Sequence, residues 1–425
     1  MICVSEYKTG MKKMAKKKLI GPFAQVLTMQ GLPLTGHIPD ERLDVHINAG
    51  VLIDGERIIS VDKWDELVNL NDVEKFVLSE PCVLLPGFID VHTHICHAGS
   101  RARDYAMRMA GATYLEIANL GGGILDTVRH TREATQEELS RLLWQKCDRQ
   151  LRHGVTTCEV KSGYGLTVVD ELKQLQAIKD IHQTHEIDLV ATCLAAHTLP
   201  PEFKEHKTYL DFVTRELLPK IKCDRLAGRV DIFVEKSAFT PDLARNYLMT
   251  AKAMGFAVVV HADQFTKGGS QVACEVGALS ADHLEVSGDA ELVALTGHNV
   301  VAVVLPGSTL GLGLPFAPAR KMLDHGLCVV LSSDYNPGSA PMGNLLAQVS
   351  LLGVSQKLST AEVLAGITCR AAHALRLDDR GVLAEGLLAD MVAFACDDYR
   401  EILYQQGGLL PKQVWKRGVC VRHKA

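Results

Sequence analysis

Between residues 83 and 332, short compact apolar runs alternate with helix-length amphipathic segments, and this alternation restricts the fold more than any other feature of the chain. The apolar runs span residues 83–91, 155–160, 189–195, 230–234, 257–261, 278–283, 300–305 and 328–332, eight in all. They lack the polar alternation of a half-solvated strand, so they predict strands covered on both faces. Between and after them, residues 136–152, 168–184, 240–254 and 360–374 carry the polar and apolar spacing of helices packed on one side. Eight such strands with crossover helices predict an α/β protein built on a (β/α)8 TIM-like barrel.

The two ends of the chain read differently. From residue 19 to about 83, short alternating runs such as Leu43-Asp44-Val45-His46-Ile47 and Arg57-Ile58-Ile59-Ser60-Val61 are punctuated by Gly50 and Asp54-Gly55, which is a hairpin pattern. The style returns in Met391-Val392-Ala393-Phe394 and in the run from Val414 to Val419. At 425 residues the chain exceeds what one core usually serves. The division expected is therefore 1–83 for an N-terminal tail and part of a small β domain, 84–383 for the barrel, and 384–425 for the remainder of a β-sandwich shared by both termini.

A net charge of −5 and an aromatic content of 5% give no basic, stacking-rich surface for nucleic acid. No run of about 18 apolar residues suggests a membrane span. The basic cluster Lys8, Lys12, Lys13, Lys16, Lys17 and Lys18 precedes too short an apolar stretch for a secretory signal and reads as a solvated tail. The 12 cysteines are scattered without a C-x-x-C pair, which predicts buried free thiols and a reducing, cytoplasmic setting.

The strongest local signal is Pro86-Gly87-Phe88-Ile89-Asp90-Val91-His92-Thr93-His94, an apolar strand ending in two histidines. Alternate side chains of a strand point the same way, so His92 and His94 converge on one point. Alone, this pair reads equally well as two polar residues at a strand end. Later runs supply further candidates at equivalent ends: His261, His283 and Asp334. His92, His94, His261 and Asp334 together offer three nitrogens and one carboxylate oxygen, a set suited to one divalent metal, zinc or iron(II). Such a metal activates water and polarises a carbonyl. Asp334 is then a proton acceptor, and His283, off the metal, a proton shuttle.

These residues resemble the amidohydrolase superfamily, with its strand-one His-x-His, later histidines and a final aspartate. Further strings resemble the imidazolonepropionase family across nearly the whole chain from about residue 20: Gly99-Ser100-Arg101, Gly121-Gly122-Gly123, Glu159-Val160-Lys161-Ser162-Gly163-Tyr164-Gly165, Ala196-His197-Thr198-Leu199-Pro200, Ser280-Ala281-Asp282-His283 and Asp334-Tyr335-Asn336-Pro337-Gly338-Ser339. The resemblance implies that Arg101 clamps a propionate carboxylate, that Tyr164 and His197 contact a ring and its carbonyl, and that Asn336, Gly338 and Ser339 line the product side. The implied reaction opens the ring C–N bond of 4-imidazolone-5-propanoate to N-formimidoyl-L-glutamate in histidine degradation, without a redox cofactor.

Two departures bear on substrate choice. Gln264 stands where some members have a glutamate, and it orients water or the ring without taking a proton. Ile95-Cys96-His97-Ala98 departs from an apolar wall, with His97 a possible second-metal ligand but no bridging lysine to accompany it. The alternatives are a ring hydrolase or deaminase for another small carboxylate-bearing heterocycle, and a non-catalytic metal-binding barrel. The partners expected are a small-molecule substrate and a second copy in a homodimer, with neither nucleic acid nor membrane.

Overall fold

A computed structural model of the protein describes residues 17–113, 116–117 and 120–421. Of the basic cluster, Lys8, Lys12, Lys13 and Lys16 lie outside the described residues. Lys17 and Lys18 do not belong to a solvated tail: they begin the strand Lys17–Leu27, and Lys18 Nζ donates to the Gly418 carbonyl at 3.3 Å. Cys82, Cys96, Cys147, Cys158, Cys193, Cys274, Cys328 and Cys369 are buried free thiols. No helix among them is long and apolar enough to cross a membrane.

Strands from both ends of the chain form one eight-stranded sheet. Its spine is Lys17–Leu27, paired antiparallel with Val45–Asp54 and parallel with Val73–Val77 and Val83–Pro86. The C-terminal strands Met391–Phe394, Gln413–Lys416 and Val419–Cys420 continue it through the antiparallel pairing of Met391–Phe394 with Val83–Pro86. The expected hairpin forms between Val45–Asp54 and Arg57–Lys63, where Asp54 faces Arg57 across Gly55 and Glu56. Gly55 takes φ +59°, the left-handed turn conformation that glycine adopts without penalty. Gly50 is not a turn but sits inside its strand, where a Cβ would press on the Trp64 ring at 3.0 Å.

The remaining strands are parallel and fully or almost fully buried, as apolar runs without alternation require. One sheet joins Phe88–Asp90, Val155–Lys161, Asp188–Ala196, Arg229–Ile232 and Ala257–Val258; another joins Val260–Ala262, Ser280–His283, Val301–Val304 and Val329–Leu331. Single bridges link the two, Phe233 with His261 at one seam and Thr93 with Tyr335 at the other. Helices Gln136–Arg152 and Val168–Thr184 begin at Thr135 and Thr167, whose side chains accept from the backbone N–H of Glu138 and Asp170.

Three expected elements are divided. The run 257–261 breaks at Val259, with Ala257–Val258 in one parallel sheet and Val260–Ala262 in the other. The run 83–91 breaks at Gly87: Val83–Pro86 serves the terminal sheet and only Phe88–Asp90 the parallel one. A Cβ at Gly87 would lie 2.4 Å from the Thr156 side chain, so the crossing between sheets needs glycine. The segment 360–374 is two helices, Thr360–Gly366 and Cys369–Leu375, parted at Ile367 and Thr368.

Candidate active site

Polar residues that end the parallel strands gather at one cavity of about 690 Å³, which His94, Tyr164, His197, His261, His283 and Asp334 line, with His92 fully buried beside them. His92 and His94 follow Phe88–Asp90, His261 lies within Val260–Ala262, and His283 closes Ser280–His283. Tyr164 and His197 follow the next two strands, and Asp334 follows Val329–Leu331. The Asp90 carboxylate fixes the ends of two of these strands by accepting from Ser333 N and Oγ, Ser332 Oγ and Gln150 Nε2. Asp334 and His283 leave their strands at φ +49° and +89°, in the left-handed region that non-glycine residues rarely occupy.

His92, His94 and His261 bring ligand atoms within 4.8 Å of one another. His92 Nε2 lies 3.2 Å from His94 Nε2, which is 3.4 Å from His261 Nε2. The far nitrogens of two rings face carboxylates: His92 Nδ1 is 2.6 Å from Asp282 Oδ2, and His261 Nδ1 is 2.9 Å from Asp231 Oδ2. A proton on each Nδ1 leaves bare Nε2 lone pairs pointing at one another, an arrangement that repels unless a cation stands between them. Burial and the neighbouring cationic and imidazole groups hold His92 and His94 well below the usual histidine range. Burial likewise brings His261 down to about 4, although Asp231 opposes it. Neutral imidazoles are the form that binds metal. Asp334 Oδ1 stands 3.4 Å from His94 Nε2 and 3.7 Å from His92 Nε2, adding an oxygen to the donor set. The residues present therefore fit a divalent ion.

His283 remains outside this trio, its Nδ1 3.3 Å from Glu285 Oε1 and its ring 5.3 Å from that of His261. Burial disfavours its charged form, but Glu285 outweighs that and raises its pKa. Burial pushes Asp334 up to about 7. Gln264 lines the same cavity and donates to Ser308 Oγ at 3.3 Å.

Arg101 lines the wall, its Nε held by Asp104 and its Nη1 3.5 Å from Thr127 Oγ1. His197 stacks on His94 at 5.2 Å between centroids, and its Nδ1 meets the Gly163 carbonyl at 3.2 Å. Tyr164 packs beside both rings, at 6.1 Å from His94 and 5.5 Å from His197. Asn336, Gly338 and Ser339 also line the cavity, but the Asn336 amide is occupied within its own loop: Nδ2 donates to the Asp334 carbonyl, and Oδ1 accepts from Gly338 N and Ser339 N.

Cys96 and His97 are not among the cavity's lining residues. The Cys96 thiol donates to the Gln174 carbonyl, and the His97 ring lies 6.1 Å from Tyr164, supporting it from behind. The sequence reading missed a buried charged layer: Asp231, Asp282, Glu285 and a lysine, Lys161, whose ammonium meets Glu159, Asp231 and Asp282. Its signal was present in part, because Glu159, Lys161, Asp231 and Asp282 are charges set within strands that are buried throughout.

Residues 83–421 match the Amidohydrolase family. An imidazolonepropionase from Geobacillus kaustophilus is 39% identical over 407 residues, covering 93% of this chain and 96% of its own. One from Myxococcus xanthus is 44% identical over 343 residues, covering 80% and 82% respectively. Among solved structures, an adenosine deaminase from Xanthomonas campestris superposes with a TM-score of 0.70 at 16% identity, over 95% of this chain and 92% of its own. A triazine hydrolase from Arthobacter aurescens gives 0.68 at 18%, over 96% and 94%; both likenesses concern the fold. Relatives of such identity and coverage, together with the family match over residues 83–421, make this chain a member of the imidazolonepropionase family of amidohydrolases.

Proposed function

We propose that this chain hydrolyses the ring C–N bond of 4-imidazolone-5-propanoate to N-formimidoyl-L-glutamate, a step of histidine degradation. The observation that carries the reading is the meeting of three lone-pair-bearing imidazoles and a carboxylate beside one cavity, which His94, His261 and Asp334 line with the Arg101 fork on its wall. The reading takes the two bridged parallel sheets as a (β/α)8 barrel and the terminal sheet as a small β-sandwich domain, with the chemistry at the barrel's carboxyl face. Its boundaries are 84–383 for the barrel, 1–83 for a tail and part of the small domain and 384–425 for the remainder, with the first moved to Gly87 because Val83–Pro86 pairs within the terminal sheet.

His92, His94, His261 and Asp334 would hold one divalent ion, zinc or iron. When bound, that ion supplies a polarising charge for the ring carbonyl and lowers the pKa of a water. Every other part of the reaction falls to the chain itself. Arg101, steadied by Asp104, presents the rest of its guanidinium to the propionate carboxylate. Tyr164 and His197 flank the ring, and the Gly163 carbonyl fixes the His197 tautomer by accepting from Nδ1–H. Asp334 accepts the proton of the attacking water as its oxygen joins the ring carbonyl carbon. His283, its Nδ1 turned to Glu285, delivers a proton from Nε2 to the departing nitrogen as the C–N bond breaks. Gln264 orients water or ring through its amide and transfers no proton. Asn336 shapes the loop that sets Gly338 and Ser339 against the product side.

The test is the decay of freshly made 4-imidazolone-5-propanoate with the product identified by mass, using metal-loaded and chelator-stripped protein. Metal-dependent formation of formimidoylglutamate supports the proposal. Folded, loaded protein that leaves the compound at its spontaneous rate overturns it and redirects attention to another carboxylate-bearing heterocycle.

A further inference from the structure

The buried lysine behind the histidines has no part in the mechanism above. Lys161 Nζ lies 2.8 Å from Glu159 Oε1, 2.9 Å from Asp231 Oδ2 and 3.9 Å from Asp282 Oδ2, with its side chain 1% exposed. It does not line the cavity and has no path to substrate. Two of its three carboxylates, however, are those that face the histidines. Asp282 meets His92 Nδ1 and Asp231 meets His261 Nδ1, so one ammonium stands behind two of the three imidazoles.

A purely structural role fits this arrangement poorly. A buried ion pair adds little net stability over well-packed apolar residues, and one lysine needs only one acid. Here three acids surround the ammonium, Arg229 lies in the same buried pocket as a second cation beside Glu159 and Asp282, and two of the acids, Asp231 and Asp282, face the imidazoles. Without the ammonium, Asp231 and Asp282 would repel each other and Glu159 across a dry space, where charges interact strongly. They would then turn away from the Nδ1 atoms, and the rings would lose what keeps Nε2 bare toward the cavity.

The geometry points to Lys161 as a positioning residue of the metal centre: by holding Asp231 and Asp282 in place it fixes His261 and His92 in the metal-binding tautomer and so sets the chain's affinity for a divalent ion. This rests on the reading of the histidine cluster as a metal site.

The experiment is zinc titration of full-length parent, Lys161→Met and Lys161→Arg proteins against a chromogenic chelator, with circular dichroism of each metal-free protein to establish folding. The expected result is a folded Lys161→Met protein whose zinc affinity is lower by about 10–100-fold, the range for loss of groups that orient metal ligands. Lys161→Arg, which keeps the charge, should recover at least part of that loss. If Lys161→Met does not fold, Lys161→Gln is measured in the same way; failure of both to fold would make the lysine a requirement of the fold and overturn the inference. So would a folded neutral variant with zinc affinity within about threefold of the parent, well short of the range expected for such groups. A parent protein that takes up no stoichiometric zinc or iron overturns the metal reading itself, a separate outcome from failure of the lysine's role.

Discussion

Arg101 is held on one side and open on the other. Asp104 and Thr127 engage Nε and Nη1, so the guanidinium reaches the cavity with its orientation already fixed. Replacing it with alanine should raise KM about 10–100-fold with kcat little changed, because a charge-assisted contact to a non-reacting carboxylate is worth about 1.5–3 kcal/mol in ground and transition state alike. Steady-state kinetics on fresh substrate check this, and an equal fall in kcat at constant KM would place Arg101 at the reacting atoms instead. His283→Asn should show the opposite split: zinc content retained and kcat lower by about 10²–10⁴-fold, since it removes a proton carrier and no ligand. Loss of bound metal in that variant would move His283 into the ligand set. The sequence made His92, His94, His261, His283 and Asp334 legible because each stands at or just beyond the end of a strand-length run. It left Asp231, Asp282 and Lys161 unread as a group because the separation of their residues in the chain says nothing of their contact, which depends on neighbouring strands meeting in register.

At the scale of the element, the loop that carries Tyr164 is built around a buried carboxylate. Glu171 accepts from the backbone N–H groups of Gly163, Gly165 and Leu166 at 3.2, 2.9 and 2.7 Å. Gly163 takes φ +107° with the Leu194 carbonyl 2.7 Å from where a Cβ would stand, so the loop passes against the next strand with no room for a side chain. Glu171→Leu would strand three donors, each costing about 1–3 kcal/mol when left unpaired in the interior. The expected outcome is a marked fall in thermal stability and a KM increase larger than any loss of kcat; differential scanning calorimetry and kinetics measure both, and an unchanged KM would show that Tyr164 does not need this loop to meet the ring. The strands themselves were legible because runs buried on both faces carry no alternation. The break at Gly87 was not, since nothing in an apolar run marks the residue at which it changes sheets; that depends on the Thr156 side chain of the neighbouring strand. Gly50 misled for a related reason: its small size serves packing against Trp64 rather than a turn.

At the scale of the whole molecule, the terminal sheet is tied to the parallel strands by a buried charge network. Asp188, at the start of its strand, accepts from Lys416 Nζ at 2.8 Å and from Arg417 Nη2 at 2.8 and 2.9 Å, and pairs with Arg380. Asp390 shares Lys416 and accepts from Arg417 N at 2.8 Å. Burial alone would raise the Asp188 pKa, but Lys416 and Arg380 outweigh it and hold the carboxyl well below the usual aspartate range. The sign follows from linkage: a carboxyl whose folded pKa is depressed adds stability in full above its unfolded pKa of about 3.9 and loses it as pH falls from there through the folded value. Asp188→Asn should therefore cost on the order of 3 kcal/mol at pH 7, as for breaking one partner out of a buried pair. That difference should shrink steadily below about pH 4, where the parent's own Asp188 begins to take up its proton. Urea unfolding at a series of pH values from 7 to 2 reads the two curves directly. Curves that converge toward acid make the Asp188 charge the latch between the two sheets, whereas a constant offset down to pH 2 would make its contribution one of packing and leave Lys416 and Arg417 to hold the sheets through Asp390.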